Sequence, residues 1–185
     1  MTTGHLPLII AHRGASGDAP ENTLASFALA VEMGCDMVEL DVRRTKDGHI
    51  VVIHDATLQR TTTGTGFVHE HTLSELRQLD AGSWFSEDFR GERIPTLREA
   101  LQTVKHRCAV NIEIKTGPSE DPGIVDVLLD ELEKVDFPPE HVIVSSFDAR
   151  VLARLQTFAP FLPRAFLFHR RPQDLGSIDS PILHP

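Results

Sequence analysis

The sequence predicts a parallel α/β fold. Short apolar runs of strand length recur along it, and they alternate with stretches whose apolar residues fall at helical spacing. The residues that carry chemistry, His12, Glu39, Asp41, Asn111, Glu113 and Lys115, lie on those runs or directly after them. Working residues of parallel α/β folds gather at the C-terminal ends of strands. With 185 residues, 41% of them hydrophobic, the chain is long enough for one well-buried domain.

Taken in order, Leu8-Ile9-Ile10-Ala11 is a continuous apolar run, as expected of a strand buried on both faces, and it leads into His12-Arg13-Gly14. Pro20-Glu21-Asn22-Thr23 opens a helix with Leu24, Phe27, Ala28 and Val31 on its apolar stripe. Asn22 or Thr23 is its N-cap, and Gly34 its stop. Met37 to Thr45 is the second strand. Side chains two apart share a face, so Glu39 and Asp41 project together while Val38, Leu40 and Val42 face the other way. Two adjacent carboxylates repel each other unless a cation neutralises them. Asp47-Gly48 is a strong hairpin-turn signal. Folding about that pair sets Lys46 opposite His49 and Asp41 opposite His54, which would bring a histidine beside the carboxylate pair.

From Asp55 to Pro95 the pattern changes. Thr61-Thr62-Thr63-Gly64-Thr65-Gly66 is turn chemistry, and Thr72-Leu73-Ser74-Glu75 is a capping box. Asp80-Ala81-Gly82-Ser83-Trp84-Phe85 holds the only tryptophan. Segment 55–95 reads as an insertion lying over one end of the main fold, its Trp84 and Phe85 either lining a cleft or anchoring the segment. Alternation then resumes. Thr96 and Glu99 cap a helix along Leu97, Leu101 and Val104, and Ala109 to Ile114 is a strand with Asn111, Glu113 and Lys115 on one face. Ile124, Val125, Leu128, Leu129 and Leu132 stripe a longer helix, followed by the strand Val142 to Ser145. Val151, Leu152, Leu155 and Phe158 mark another helix, Arg164 to Phe168 a strand, and Ile182-Leu183-His184 one more. Apart from the hairpin's return strand, six barrel-type strands start near residues 8, 37, 109, 142, 164 and 182.

A net charge of −9 speaks against nucleic acid or an anionic membrane surface as the main partner. An anionic substrate would need local attraction from a metal or from a few Arg and Lys. Cys35 and Cys108 have no zinc-type spacing and read as free buried thiols. No basic leader or 18-residue apolar run is present, so the expectation is a soluble, cytoplasmic protein without a stable membrane anchor.

His12-Arg13-Gly14, Pro20-Glu21-Asn22-Thr23, Glu39-x-Asp41, His54-Asp55, Ile94-Pro95-Thr96-Leu97 and Glu113-x-Lys115 resemble, in order and over the whole chain, the glycerophosphodiester phosphodiesterase family. The resemblance implies a TIM barrel with an insertion after the second strand. It implies a divalent metal held by Glu39, Asp41 and Glu113, and a catalytic pair of His12 and His54, with His12 as base and His54 as acid. It further implies hydrolysis of a small-molecule glycerophosphodiester to sn-glycerol 3-phosphate and an alcohol. An all-carboxylate site suits a hard cation, Mg²⁺ or Ca²⁺, better than zinc. Arg13 and Lys115 could hold the remaining phosphate oxygens. Glu21 could orient Arg13 or the metal shell, whereas His69, His71, His169-Arg170-Arg171 and His184 read first as loop or strand-end residues.

A TIM barrel typically takes about 250 residues. The sequence is therefore expected to form a single barrel domain over residues 1–185, with the insertion at 55–95, truncated at the C-terminus with its last two strands missing. Two other functions compete. One is a lysophospholipase-D-like or sphingomyelinase-D-like lipid phosphodiesterase. The other is an inactive truncated remnant that binds metal or phosphate.

Overall fold

The computed structural model of the chain describes residues 7–117 and 123–168, and the backbone of 182–184. The segment His169-Arg170-Arg171 lies outside the described residues, as does Pro185. The strands are β1 (Ile10–His12), β2 (Met37–Arg44), β3 (Ile50–Val52), β4 (Ala109–Ile114), β5 (Val142–Ser146), β6 (Arg164–Leu167) and β7 (Ile182–His184). The α-helices are α1 (Leu24–Glu32), α2 (Leu73–Leu76), α3 (Leu97–Val104), α4 (Ile124–Val135) and α5 (Ala149–Phe158).

One sheet runs β1-β2-β4-β5-β6-β7 with every neighbour parallel, and β3 joins β2 antiparallel. From β1 to β6 the consecutive parallel strands are joined through helices, the winding of a TIM-type barrel. Among the described residues β1 and β7 are the two ends of this path and do not pair with each other. Alternation along β2 and β4 is as expected: Val38, Leu40, Val42, Val110, Ile112 and Ile114 are buried in the main core with the apolar faces of α1, α3, α4 and α5. Their alternate neighbours, Glu39, Asp41 and Glu113, point to the other face of the sheet.

Helix starts follow local chemistry. Thr23, Thr72 and Thr96 each close a capping box, at α1, α2 and α3. Gly34, with φ of 80°, follows α1 in the left-handed conformation expected of a stop. On α1 the buried residues are Ser26, Phe27 and Ala30, whereas Ala28 faces solvent. Segment 53–94 gathers a second apolar cluster, Ile53, Leu58, Val68, Leu76, Ala81 and Ile94, against Val51 of β3. Trp84 donates its indole N–H to the Ala81 carbonyl and meets Phe85 edge-to-face, so it anchors this segment.

Three expectations need correction. The Leu8–Ile10 run is not buried on both faces: Leu8, Ile9 and Ile10 are 67%, 64% and 47% exposed. Among the described residues β1 has a single neighbour, β2, which leaves its outer side uncovered. The hairpin register is also one residue away from the two-residue-turn count. Thr45 pairs with His49 around a three-residue loop, Lys46-Asp47-Gly48, and Val42 faces Val52, so Asp41 faces Ile53 rather than His54. Gly48 takes φ of 88° in that loop, and the Thr45 hydroxyl caps it by bonding Asp47 and the His49 N–H. Lastly, Cys35 and Cys108 are free but only half-buried, and they meet each other at the starts of β2 and β4. Burial pushes the Cys108 thiol up to about 12.

Candidate active site

β2 has β4 on one edge and both β1 and β3 on the other, β1 against residues 37–39 and β3 against residues 42–44. Because β3 is antiparallel, the C-terminal ends of β1 and β3 point toward each other along that edge. His12 closes β1 opposite Glu39, and the Ile53 N–H bonds the Asp41 carbonyl one residue before His54. The two histidines thus converge on the Glu39–Asp41 level of β2 from opposite directions. Sheet topology brings them together; the turn count does not.

Across β2 and β4, Glu39 stands beside Asn111 and Asp41 beside Glu113. One carboxylate oxygen from each of Glu39, Asp41 and Glu113 lies within 4.8 Å of the others. These residues are 6%, 0% and 8% exposed. Burial, then the nearby Asp41, pushes the Glu39 carboxyl up to about 8. Glu39 Oε1, Asp41 Oδ1 and Glu113 Oε1 are buried and accept no hydrogen bond from the described residues. The latter two meet the Lys115 ammonium only as ion-pair partners, Asp41 at 3.2 Å. Buried carboxylate oxygens at this spacing, two of them met by a single ammonium, fit a hard divalent cation, whose oxygen ligands sit about 2.0–2.6 Å from the ion.

The cations lie around this cluster. Arg13 takes the left-handed conformation, φ of 60°, which turns its N–H onto Glu39 Oε2 at 3.0 Å. Its guanidinium reaches Asp41 Oδ2 at 3.3 Å and donates to Glu21 at 2.9 Å. Glu21 therefore orients Arg13, as the sequence suggested. His12 Nε2 is 3.8 Å from Glu39, its side chain 68% exposed toward the rim. Burial of its surroundings and the Arg13 charge pull its pKa below the usual histidine value. His54 shares Nδ1 with Asp55 Oδ1 at 2.6 Å, leaving Nε2 as the nitrogen that can exchange a proton. Two separate clefts include residues of this site. One, about 440 Å³, is lined by His12, Glu39, Asn111, Glu113 and Ser145. The other, about 500 Å³, is lined by Arg43, Lys115, Phe147, Asp148 and Arg150.

Three residues escaped the sequence reading. Asn22, 4% exposed and left-handed at φ of 58°, donates from Nδ2 to Asp41 Oδ2 at 2.8 Å and accepts from the Asp41 N–H. The sequence marks it as a candidate helix cap and as part of the Pro20–Thr23 motif, without a role toward Asp41. Asp55 stands in the His54-Asp55 motif with no role assigned by the sequence. Arg60 lies outside every motif, yet it bonds both Asp55 and Glu21. The signal that could have found it is an arginine five residues after Asp55, just ahead of the Thr61–Gly66 turn stretch.

The sequence profile described as "Glycerophosphoryl diester phosphodiesterase family" matches residues 12–179. This chain belongs to that family. A glycerophosphodiester phosphodiesterase of Caldanaerobacter subterraneus subsp. tengcongensis is 49% identical over 162 residues, covering 87% of this chain and 66% of that one. One of Bacillus subtilis is 38% identical over 177 residues, 89% and 60% of the two chains. The chain thus spans about two thirds or less of the length of these relatives. Among solved structures, an Oleispira antarctica phosphodiesterase in complex with the product sn-glycerol-3-phosphate superposes with a TM-score of 0.91 at 37% identity, over 97% of this chain and 74% of that one. A glycerophosphodiester phosphodiesterase from Agrobacterium tumefaciens superposes at 0.79 with 38% identity, over 88% and 67%. The barrel fold is shared with these family members. Among the described residues no helix is long and apolar enough to cross a membrane.

Proposed function

We propose that this family member hydrolyses small-molecule glycerophosphodiesters to sn-glycerol 3-phosphate and an alcohol, using Mg²⁺ or Ca²⁺ held by Glu39, Asp41 and Glu113. The observation that carries the reading is the buried three-carboxylate cluster at the strand ends with a histidine on either side. The relatives' names favour it over a lysophospholipase-D-like activity or an inactive remnant. The product bound in the Oleispira structure supports the same substrate class.

A bound divalent cation would polarise a phosphoryl oxygen and offset charge that develops there. Arg13 and Lys115 sit beside the cluster with forked and point-charge donors suited to the other phosphate oxygens. His12, held toward its neutral form, suits a general base that takes the proton of the attacking hydroxyl. His54 suits the acid: Asp55 holds its Nδ1 and so orients the ring, leaving Nε2 to deliver a proton to the leaving alkoxide. Segment 55–95 acts in this reading as an insertion subdomain that supplies Asp55 to the site.

The test is release of glycerol 3-phosphate from glycerophosphocholine with Mg²⁺, Ca²⁺ or EDTA. His12→Ala and His54→Ala are each expected to lose at least ~10²-fold in kcat, and EDTA to stop turnover. Metal-independent turnover, or full activity in both variants, would sink the proposal.

A further inference from the structure

A guanidinium from the polar segment after β3 joins the two halves of the site. Arg60 Nε and Nη2 donate to Asp55 Oδ2 and Oδ1 at 2.7 and 3.1 Å. Its Nη1 and Nη2 donate to Glu21 Oε2 and Oε1 at 2.7 and 2.8 Å. Each of these carboxylates also holds a site residue: Asp55 Oδ1 takes His54 Nδ1, and Glu21 Oε1 takes Arg13. Arg13 in turn lies against Asp41. The result is one continuous chain of hydrogen bonds and ion pairs, His54–Asp55–Arg60–Glu21–Arg13–Asp41, from the histidine at one side of the rim to the carboxylate cluster.

We propose that Arg60 is a positioning residue: by bridging Asp55 and Glu21 it fixes the His54 ring and the Arg13 fork in one mutual geometry. The kinetic part of this inference rests on the reading of the site as a phosphodiesterase centre; the structural part does not.

An exposed ion pair usually contributes little, and the Arg60 side chain is 43% exposed. Two features set it apart. Both edges of the guanidinium are engaged at once, which fixes orientation as well as distance. Both acceptors are also shared with a second partner, so moving Arg60 moves His54 and Arg13. The carboxylates carry the mark of this arrangement. The Arg60 and His54 bonds hold Asp55 far below the usual carboxylate range. Against the upward pull of burial, Arg60 and Arg13 keep Glu21 below its ordinary value. A lysine ammonium can meet one carboxylate well but cannot reproduce a fork onto two.

The test uses the full chain as wild type, Arg60→Ala and Arg60→Lys, with two readouts. The first is the ¹H–¹⁵N signal of the His54 Nδ1–H, identified by its loss in His54→Gln. It should be seen in the wild type and lost or moved upfield in Arg60→Ala, as the Asp55 acceptor is freed to rotate. The second is kinetics on glycerophosphocholine. Here kcat should fall about 10–100-fold in Arg60→Ala, the range for loss of a supporting partner, with KM changed much less. Arg60→Lys should keep the fold, recover part of the His54 signal and recover only part of kcat. If Arg60→Ala does not fold, the lysine variant decides: wild-type kcat and an unmoved His54 signal there would overturn the proposal. An unmoved signal and unchanged kcat in Arg60→Ala would do the same, whatever happens to its melting temperature. Absence of turnover in the wild type would count against the phosphodiesterase reading; the His54 signal would still decide the role of Arg60.

Discussion

Asp41 is the most constrained residue of the site. It is fully buried, its Oδ2 accepts from Asn22 and faces Arg13, and its Oδ1 faces Lys115 and is free of hydrogen bonds. One oxygen is thereby tied by neighbours and the other presented to the cluster. Asn22 can play this part because its short amide tolerates the left-handed backbone that puts Nδ2 against Asp41. Asn22→Ala is expected to weaken Mg²⁺ or Ca²⁺ binding about 10–100-fold, by loss of ligand orientation. Isothermal titration would check this, and unchanged affinity would remove Asn22 from the site. That the carboxylates and histidines were legible in the sequence, while Asn22 and Arg60 were not, has a physical basis. The former are marked by alternation on a strand or by position at its end. The latter act through partners 19 and 39 residues away.

At the scale of elements, the β1–α1 connection sets the approach of His12 and Arg13. Gly14 sits at φ of 81°, and a Cβ built there would lie 2.4 Å from Ser26 Oγ and 2.8 Å from the Ser26 carbonyl carbon. The loop can lie this close to the first turn of α1 only without a side chain. Ser26 is itself engaged, bonding the Arg13 carbonyl and closing the Thr23 capping box. Gly14→Ala is expected to cost about 1–3 kcal/mol in a urea melt, from overpacking and from the left-handed backbone. It should lower activity further than folding alone explains, since Arg13 and His12 must shift with the loop. Wild-type stability would show that the loop has room to yield. The hairpin is the contrasting case. Asp47-Gly48 did mark a turn, but three loop residues rather than two displaced the pairing by one, because the Thr45 and Asp47 side chains close a longer loop. His54 reaches the site because β3 stops at Val52 and the chain bends beyond it, with Arg43 Nε holding the His54 carbonyl at 2.9 Å.

At the scale of the whole molecule, three buried carboxylates in one place oppose folding unless they are neutralised. Arg13 and Lys115 offset two of these charges, and a divalent cation would exceed the remainder. A ligand that binds only the folded state at 100 times its Kd adds about 2.7 kcal/mol. For a chain of this size that is roughly 5–10 °C in melting temperature. Mg²⁺ or Ca²⁺ is expected to produce such a rise, EDTA to reverse it, and Glu39→Gln to abolish it while keeping the side-chain shape. Equal melting curves with and without saturating metal would argue against a cation at this cluster.

The sequence by itself determined the parallel strand–helix alternation, the caps at Thr72 and Thr96, a cap at Asn22 or Thr23, and the face of β2 that carries Glu39 and Asp41. All of these follow from periodicity and capping within a few residues of one another. Tertiary structure alone decided that β1 and β3 share one edge of β2, which is why His12 and His54 meet. It also decided the hairpin register, the exposure of Leu8–Ile10, and the linkage of His54 to Asp41 through Asp55, Arg60, Glu21 and Arg13. Those depend on which strand edges and side chains become neighbours in space, and contacts between residues far apart along the chain leave no period in it to read.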